Sequence, residues 1–172
     1  MKRFFAVMLT VLAAAAFAAE TAVELQAKKN VVGWGSPKCY QTPPVITVAD
    51  GVAKVTCGEL VADAKVTNYQ FSVLTRDRTF KAGVKYTFTF TVKSNMDVKR
   101  GYAFCQINYK PYTTFARQSV VLTANEPKTF TLVSTPEKDV TGITRTPCLH
   151  IPLAEGQTVE ISDVKIAEEE AK

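Results

Sequence analysis

From Val45 to Ile166 the chain keeps returning to one pattern, short runs in which apolar and polar residues alternate, separated by turn signals. In KYTFTFTVKS, Lys85 to Ser94, the residues Tyr86, Phe88, Phe90 and Val92 fall on one side of an extended chain, and Thr87, Thr89, Thr91 and Lys93 fall on the other. A strand shows successive side chains to opposite faces, so the aromatic row must be buried against something. No helical period survives for more than a few residues before Ala154. VITVADGVAKVTC predicts a hairpin with Asp50-Gly51 as its tight turn. NYQFSV, GYAFCQINY, KTFTLVS, CLHIPL and TVEISDVKI read as further strands. In the last, the apolar set changes parity from Val159 and Ile161 to Val164 and Ile166, which predicts a bulge at Ser162-Asp163. Many short strands with no intervening helices specify an all-β chain, folded as a two-sheet antiparallel β-sandwich in a single domain.

The ends of the chain set the boundaries. Lys2 and Arg3 precede an apolar run from Phe4 to Phe17, and Ala16-Phe17-Ala18 has the small-x-small spacing that a signal peptidase reads. Residues 1–18 are therefore expected to be a secretory signal, 19–166 the sandwich and 167–172 a polar, frayed tail. No stretch reaches the roughly 20 apolar residues that span a bilayer, so no membrane insertion is expected. A protein of this kind is secreted or periplasmic, and the absence of Cys at the cleavage point argues against a bacterial lipoprotein. No asparagine lies in an N-x-Ser/Thr sequence.

Without Lys2 and Arg3 the formal charge falls from +5 to +3, and the remaining basic residues are interleaved with Asp and Glu. A nucleic-acid partner needs a clustered basic stripe, so none is indicated. Cys39, Cys57, Cys105 and Cys148 admit three disulfide connectivities in an oxidising compartment. Across the hairpin, residue 44 stands opposite Cys57, which favours Cys39 with Cys57 if QTPP bends back and leaves Cys105 with Cys148. That second pair is uncomfortable, because Cys105 reads inward and Cys148 outward, and it requires a strand end or bulge. Zinc is the weaker reading, since no cysteine pair has C-x-x-C spacing and His150 is the only histidine. The lone His150 also leaves no material for a hydrolytic triad, and Glu59, Asp63, Asp77 and Asp163 share no strand face. The chain does not read as an enzyme.

The order NYQFSV, FKAGVKYTFTFTVKS, VVLTANEPKTFTLV and CLHIPLAEGQTVEISDVKI resembles a jelly-roll carbohydrate-binding module of the group containing families four, nine and twenty-two. In that group Gly-x-x-Tyr opens a buried strand, as Gly83 to Tyr86 would here, and an Asp-Val pair such as Asp163-Val164 sits in the last strand. The resemblance covers roughly Val32 to Ile166. It implies that Lys85 to Ser94 lies in the outer sheet with its threonines in solvent, and that a ligand groove lies on the other sheet, on NYQFSV, GYAFCQINY and CLHIPL. It also implies a structural calcium near Asp163, although Lys28 and Lys29 stand where negative charge would help, so no cofactor is expected.

Side-chain parity then proposes the groove. If Ala103, Cys105 and Ile107 point inward, Tyr102, Phe104, Gln106 and Asn108 point outward, and neighbouring strands add Gln70, Ser72 and His150. Aromatic rings rimmed by amides suit a pyranose, which has an apolar C–H face and a polar rim. The competing reading is that the loop KPYTTFARQ covers Tyr102 and Phe104. Trp34, the only tryptophan, stands near the groove's end in the resembling modules, but the flanking Val31 and Val32 favour a place in the core. Tyr40 and Tyr112 are loop candidates for stacking. Two functions remain: a secreted, non-catalytic module for a glycan or polysaccharide, and an envelope or adhesin-like sandwich with a protein partner.

Overall fold

The computed structural model describes residues 19–62, 64 and 66–169. The expected signal segment and the last three residues of the tail therefore lie outside the described residues, as does Asp63. Eleven strands follow in order: β1 (Ala19–Ala22), β2 (Val31–Gly35), β3 (Val45–Ala49), β4 (Val52–Thr56), β5 (Thr67–Thr75), β6 (Lys85–Ser94), β7 (Val98–Ile107), β8 (Thr114–Leu122), β9 (Lys128–Ser134), β10 (Thr144–Leu153) and β11 (Thr158–Glu169). They form two sheets whose paired neighbours are all antiparallel. One sheet has the order β3-β4-β11-β6-β9, with β1 also on β11, and the other has the order β2-β5-β10-β7-β8.

The alternating aromatic row of β6 enters the space between the sheets, where Tyr86, Phe88, Phe90 and Val92 are all buried. Phe71 and Val73 of β5, Leu149, Ile151 and Leu153 of β10, and Ile161 and Ile166 of β11 complete that core. Phe80 closes one end, edge-on to Tyr86 at 5.0 Å between ring centroids, and the Tyr86 hydroxyl accepts from the Lys81 amide at 2.8 Å. The threonine row faces out of the six-stranded sheet, with Thr89 and Thr91 paired to Thr131 and Thr129 of β9 and Thr87 to Val133, and the Thr91 and Thr129 hydroxyls meet at 3.1 Å. Such β-branched polar pairs suit a solvated pleat.

Local sequence explains the joints. Asp50 and Gly51 both take positive φ, 50° and 73°, as a two-residue turn between twisted strands requires. The β6 to β11 register shifts between Ser162 and Lys165, with Asp163 at φ 53°, so the expected bulge is present. It divides the work of β11: residues 158–161 pair with β4, and residues 165–168 pair with β1.

Two expectations are corrected. Strand β11 runs on to Glu169, with Ala167, Glu168 and Glu169 paired to β6, so these tail residues are held rather than frayed. Much of KPYTTFARQ is not a covering loop, because residues from Thr114 onward form β8, the edge strand beside β7. Its apolar parity slips between Phe115 and Ala116, where the β7 to β8 register shifts, and this hid the alternation.

Candidate functional site

Phe71, Val73, Ala103, Cys105, Leu149 and Ile151 all point inward and are fully buried. The alternate residues of β5, β7 and β10 therefore form the outer face of the five-stranded sheet. Register lines them up in rows. Trp34 pairs with Gln70, Gln70 with His150, His150 with Tyr102, and Tyr102 with Ser119. The next row runs Val32, Ser72, Cys148, Phe104 and Arg117. In the third, Arg145 stands between Leu74 and Gln106.

Arg145 is the residue that alternation misses. Strict parity from Leu149 and Ile151 sends an odd-numbered residue into the core. Both ladders of β10 slip between Arg145 and Cys148, and the extra residue returns Arg145 to the outer face. The available signal was Pro147 inside an otherwise good strand, because a proline that cannot donate to a ladder marks an edge or a bulge. Once outside, Arg145 ties the floor together: its Nε donates to Asn108 Oδ1 at 2.6 Å, and its Nη1 donates to Gln70 Oε1. Gln106 Nε2 donates to the Tyr112 carbonyl and to Thr114 Oγ1, each at 3.2 Å.

Two exposed rings flank this floor. Trp34, on edge strand β2, is 64% exposed, and Tyr112, in the connection from β7 to β8, is 52% exposed. The core placement of Trp34 is thus corrected. The reason lies in its neighbours, Gly33 and Gly35. A Cβ at Gly33 would run into the Tyr69 hydroxyl and one at Gly35 into the Tyr40 hydroxyl, so β2 rests its backbone on those rings and sends the tryptophan between them outward. Tyr40 itself is corrected as a stacking candidate, for it packs edge-on against Tyr69 at 6.5 Å. Burial, with the charges of Tyr40 and Cys57 behind it, pushes the Tyr69 phenol up to about 12. Trp34, Gln70, Gln106, Tyr112 and Arg145 enclose an open cleft of about 520 Å³.

A second hollow of about 360 Å³ continues along the face, lined by Asn68, Arg100, Gly101, Tyr102, His150 and Pro152. Tyr102 is half-buried, with the Arg117 guanidinium 4.0 Å from its ring centroid. A hydrogen bond and the charge of Arg100, followed by Arg117, hold the Tyr102 phenol below its ordinary value. Phe104 also points outward, yet it is only 8% exposed and does not belong to the main core. Parity is therefore as expected, but the free rings are Trp34 and Tyr112 rather than Tyr102 and Phe104.

All four cysteines are free thiols, not the two expected bridges. Cys148 pairs with Phe104 on the outer face, where Ser72 Oγ donates to its sulfur at 3.0 Å, while Cys105 belongs to the core on the other side of the sheet. Cys39 lies opposite Val61 rather than Cys57, with the Val61 amide donating to its carbonyl at 3.2 Å. Burial raises the Cys105 thiol well above its usual value, with the neighbouring Cys148 adding to it. Asp163 accepts from Ser162 Oγ at 2.9 Å. Among the described residues, no group of three or more His, Cys, Asp or Glu side chains is placed to hold a metal ion.

The two sheets also differ in charge. Lys54–Glu160, Lys85–Glu169 and Lys165–Glu20 bridge neighbouring strands of the six-stranded sheet, and Arg78–Glu168 lies at its rim. Strands β2, β5, β7, β8 and β10 contain no Asp or Glu.

No protein-family model and no curated protein matches the chain. Solved structures do match in fold. A family 4 carbohydrate-binding module superposes with a TM-score of 0.57 at 19% identity, covering 81% of this chain and 95% of its own. The N-terminal cellulose-binding domain of the Cellulomonas fimi β-1,4-glucanase C gives 0.56 at 18% identity, covering 83% and 91%. The enzymatically active domain of a bacteriophage CBA120 tailspike protein gives 0.56 at 10% identity, but only 20% of that chain is covered. The chain has the jelly-roll sandwich fold of carbohydrate-binding modules, as the resemblance implied.

Proposed function

We propose that this is a secreted, non-catalytic module that binds a carbohydrate chain across the outer face of the five-stranded sheet. The observation that carries the proposal is the pair of exposed rings, Trp34 and Tyr112, set on either side of a floor of Gln70, Gln106 and Arg145. Large exposed rings around an open polar cleft are costly to leave in water and fit the apolar faces of sugar rings. Planar amides and a guanidinium between them suit ring hydroxyls. The floor is already organised by the bonds from Arg145 to Asn108 and Gln70, so little order has to be created on binding. The fold shared with modules named for holding carbohydrate supports the same reading. Among the described residues that line the cleft none is a carboxylate.

Because Trp34 is the only tryptophan, its fluorescence reports on the cleft directly. A saturable change in its emission on titration with a soluble polysaccharide, with no release of reducing ends, is the expected result. A flat titration across a broad panel of polysaccharides, with a protein captured at the same face instead, would replace this reading with the adhesin-like one.

A further inference from the structure

The strands of this face carry guanidiniums and no carboxylate. The amide oxygens of Gln70 and Asn108 already accept from Arg145. Gln106 spends its amide nitrogen on the Tyr112 carbonyl and Thr114. Beside these amides the face carries three guanidiniums, and Arg145 has further N–H donors beyond the two it spends on Asn108 and Gln70. Arg145 lines the first cleft and Arg100 the second, and Arg117 lies over Tyr102 between β7 and the sheet edge. Among the described residues none of the three has a carboxylate within salt-bridge distance, although four other basic side chains of this molecule do. A neutral sugar hydroxyl both donates and accepts, so a face built for neutral sugars balances the two. A carboxylate or sulfate only accepts, and it matches a guanidinium with two parallel bonds.

We infer that the bound carbohydrate is anionic, a polysaccharide bearing carboxylate or sulfate groups that reach Arg100, Arg117 and Arg145 while its sugar rings lie on Trp34 and Tyr112. This rests on the proposed glycan-binding role of the same face. The lowered Tyr102 phenol reports the same positive surroundings. Acid-free strands around the cleft remove the repulsion that such a chain meets on the opposite sheet.

The test is titration of Trp34 fluorescence with a neutral β-glucan, a polyuronate, a sulfated polysaccharide and poly-glutamate, at low and at near-physiological salt. The polyuronate or the sulfated chain should bind about tenfold or more tightly than the neutral glucan, with an affinity that falls as salt screens the exposed charges. Which of the two is preferred distinguishes carboxylate from sulfate. Arg117→Gln and Arg100→Gln should each weaken the anionic ligand about fivefold, in keeping with partly exposed ion pairs. Equal or tighter binding of the neutral glucan overturns the inference and keeps the glycan-binding role. Poly-glutamate binding as tightly as the polyuronate also overturns it, because the face would then read charge alone. If no polysaccharide alters the fluorescence, both readings fall.

Discussion

The two sheets are made by the same alternation, share one core, and yet present opposite chemistry to solvent. The six-stranded sheet shows Thr89 and Thr91 paired with Thr131 and Thr129 and lysines bridged to glutamates, so these polar groups face partners across strands. The five-stranded sheet shows two open rings, amides locked by an arginine, and cations without carboxylates. A self-satisfied surface is a finished one, while a surface with unanswered donors and wetted rings is complementary to something else. In this molecule the contrast is the ground for proposing the five-stranded sheet as the ligand-binding face.

The largest expected effect tests the shared core. Phe88→Ala empties a position buried between the sheets and should cost about 3 to 5 kcal/mol in a denaturant melt. Phe104→Ala sharpens the comparison, because its ring lies outside the main core but is nearly as well covered. It should destabilise measurably, though less than Phe88→Ala. A loss of binding with an unchanged melt would mean that Phe104 is an open platform after all.

Next in size is Gly33→Ala. The new methyl meets Tyr69, which must shift along with β2, so a loss of about 1 to 3 kcal/mol is expected, as for an overpacked site. Displacement of Trp34 should accompany it, visible as a shift in emission maximum. An unperturbed melt and spectrum would show that β2 does not depend on the tyrosine rings.

Alkaline pH probes the same junction. The Tyr69 phenol has a folded-state value of about 12 against an ordinary 10.0, so the folded state holds the proton more tightly. Its contribution is complete below pH 10 and is lost as pH rises toward 12. The buried Cys105 thiol, raised above 9.0, acts in the same direction. Melting temperature should therefore fall above pH 9 to 10, and Tyr69→Phe should flatten the part of that fall above pH 10. An identical decline in the variant would assign the loss to the thiols and the Tyr40 phenol, which burial also raises.

The smallest effects belong to the ion-paired sheet. Thr89→Ala and Glu169→Gln should each change stability by about 0.5 kcal/mol or less, since exposed pairs are weak in water, and neither should alter binding. Abolished binding in Thr89→Ala would move the site to the threonine face.

How far the sequence reaches follows from the same physics. Residues such as Phe88, Phe71, Ile151 and Tyr102 obey period two, so their strands and faces were legible, as was the Asp50-Gly51 turn. Arg145 and β8 were not, because each sits where a bulge resets parity and a one-residue slip reverses every inference downstream. Trp34 was misread for a different reason. Its neighbouring valines spoke for burial, whereas its exposure depends on Tyr69 and Tyr40 lying beneath the glycines on either side of it. Tertiary contacts of this kind, Gly33 on Tyr69 above all, leave no mark in local pattern. The Cys105–Cys148 pairing failed where parity had already spoken against it, with Cys105 inward and Cys148 outward on one sheet.

Calorimetric titration of one polysaccharide that binds the parent into three proteins, the parent, Trp34→Ala and Thr89→Ala, decides whether the acid-free face or the threonine face holds the ligand. Trp34 is exposed, so its removal should leave the melt within about 0.5 kcal/mol of the parent. Binding should weaken by roughly 1 to 3 kcal/mol, the range for truncating a contact aromatic, while Thr89→Ala binds as the parent does. Full affinity in Trp34→Ala together with loss in Thr89→Ala would contradict the account.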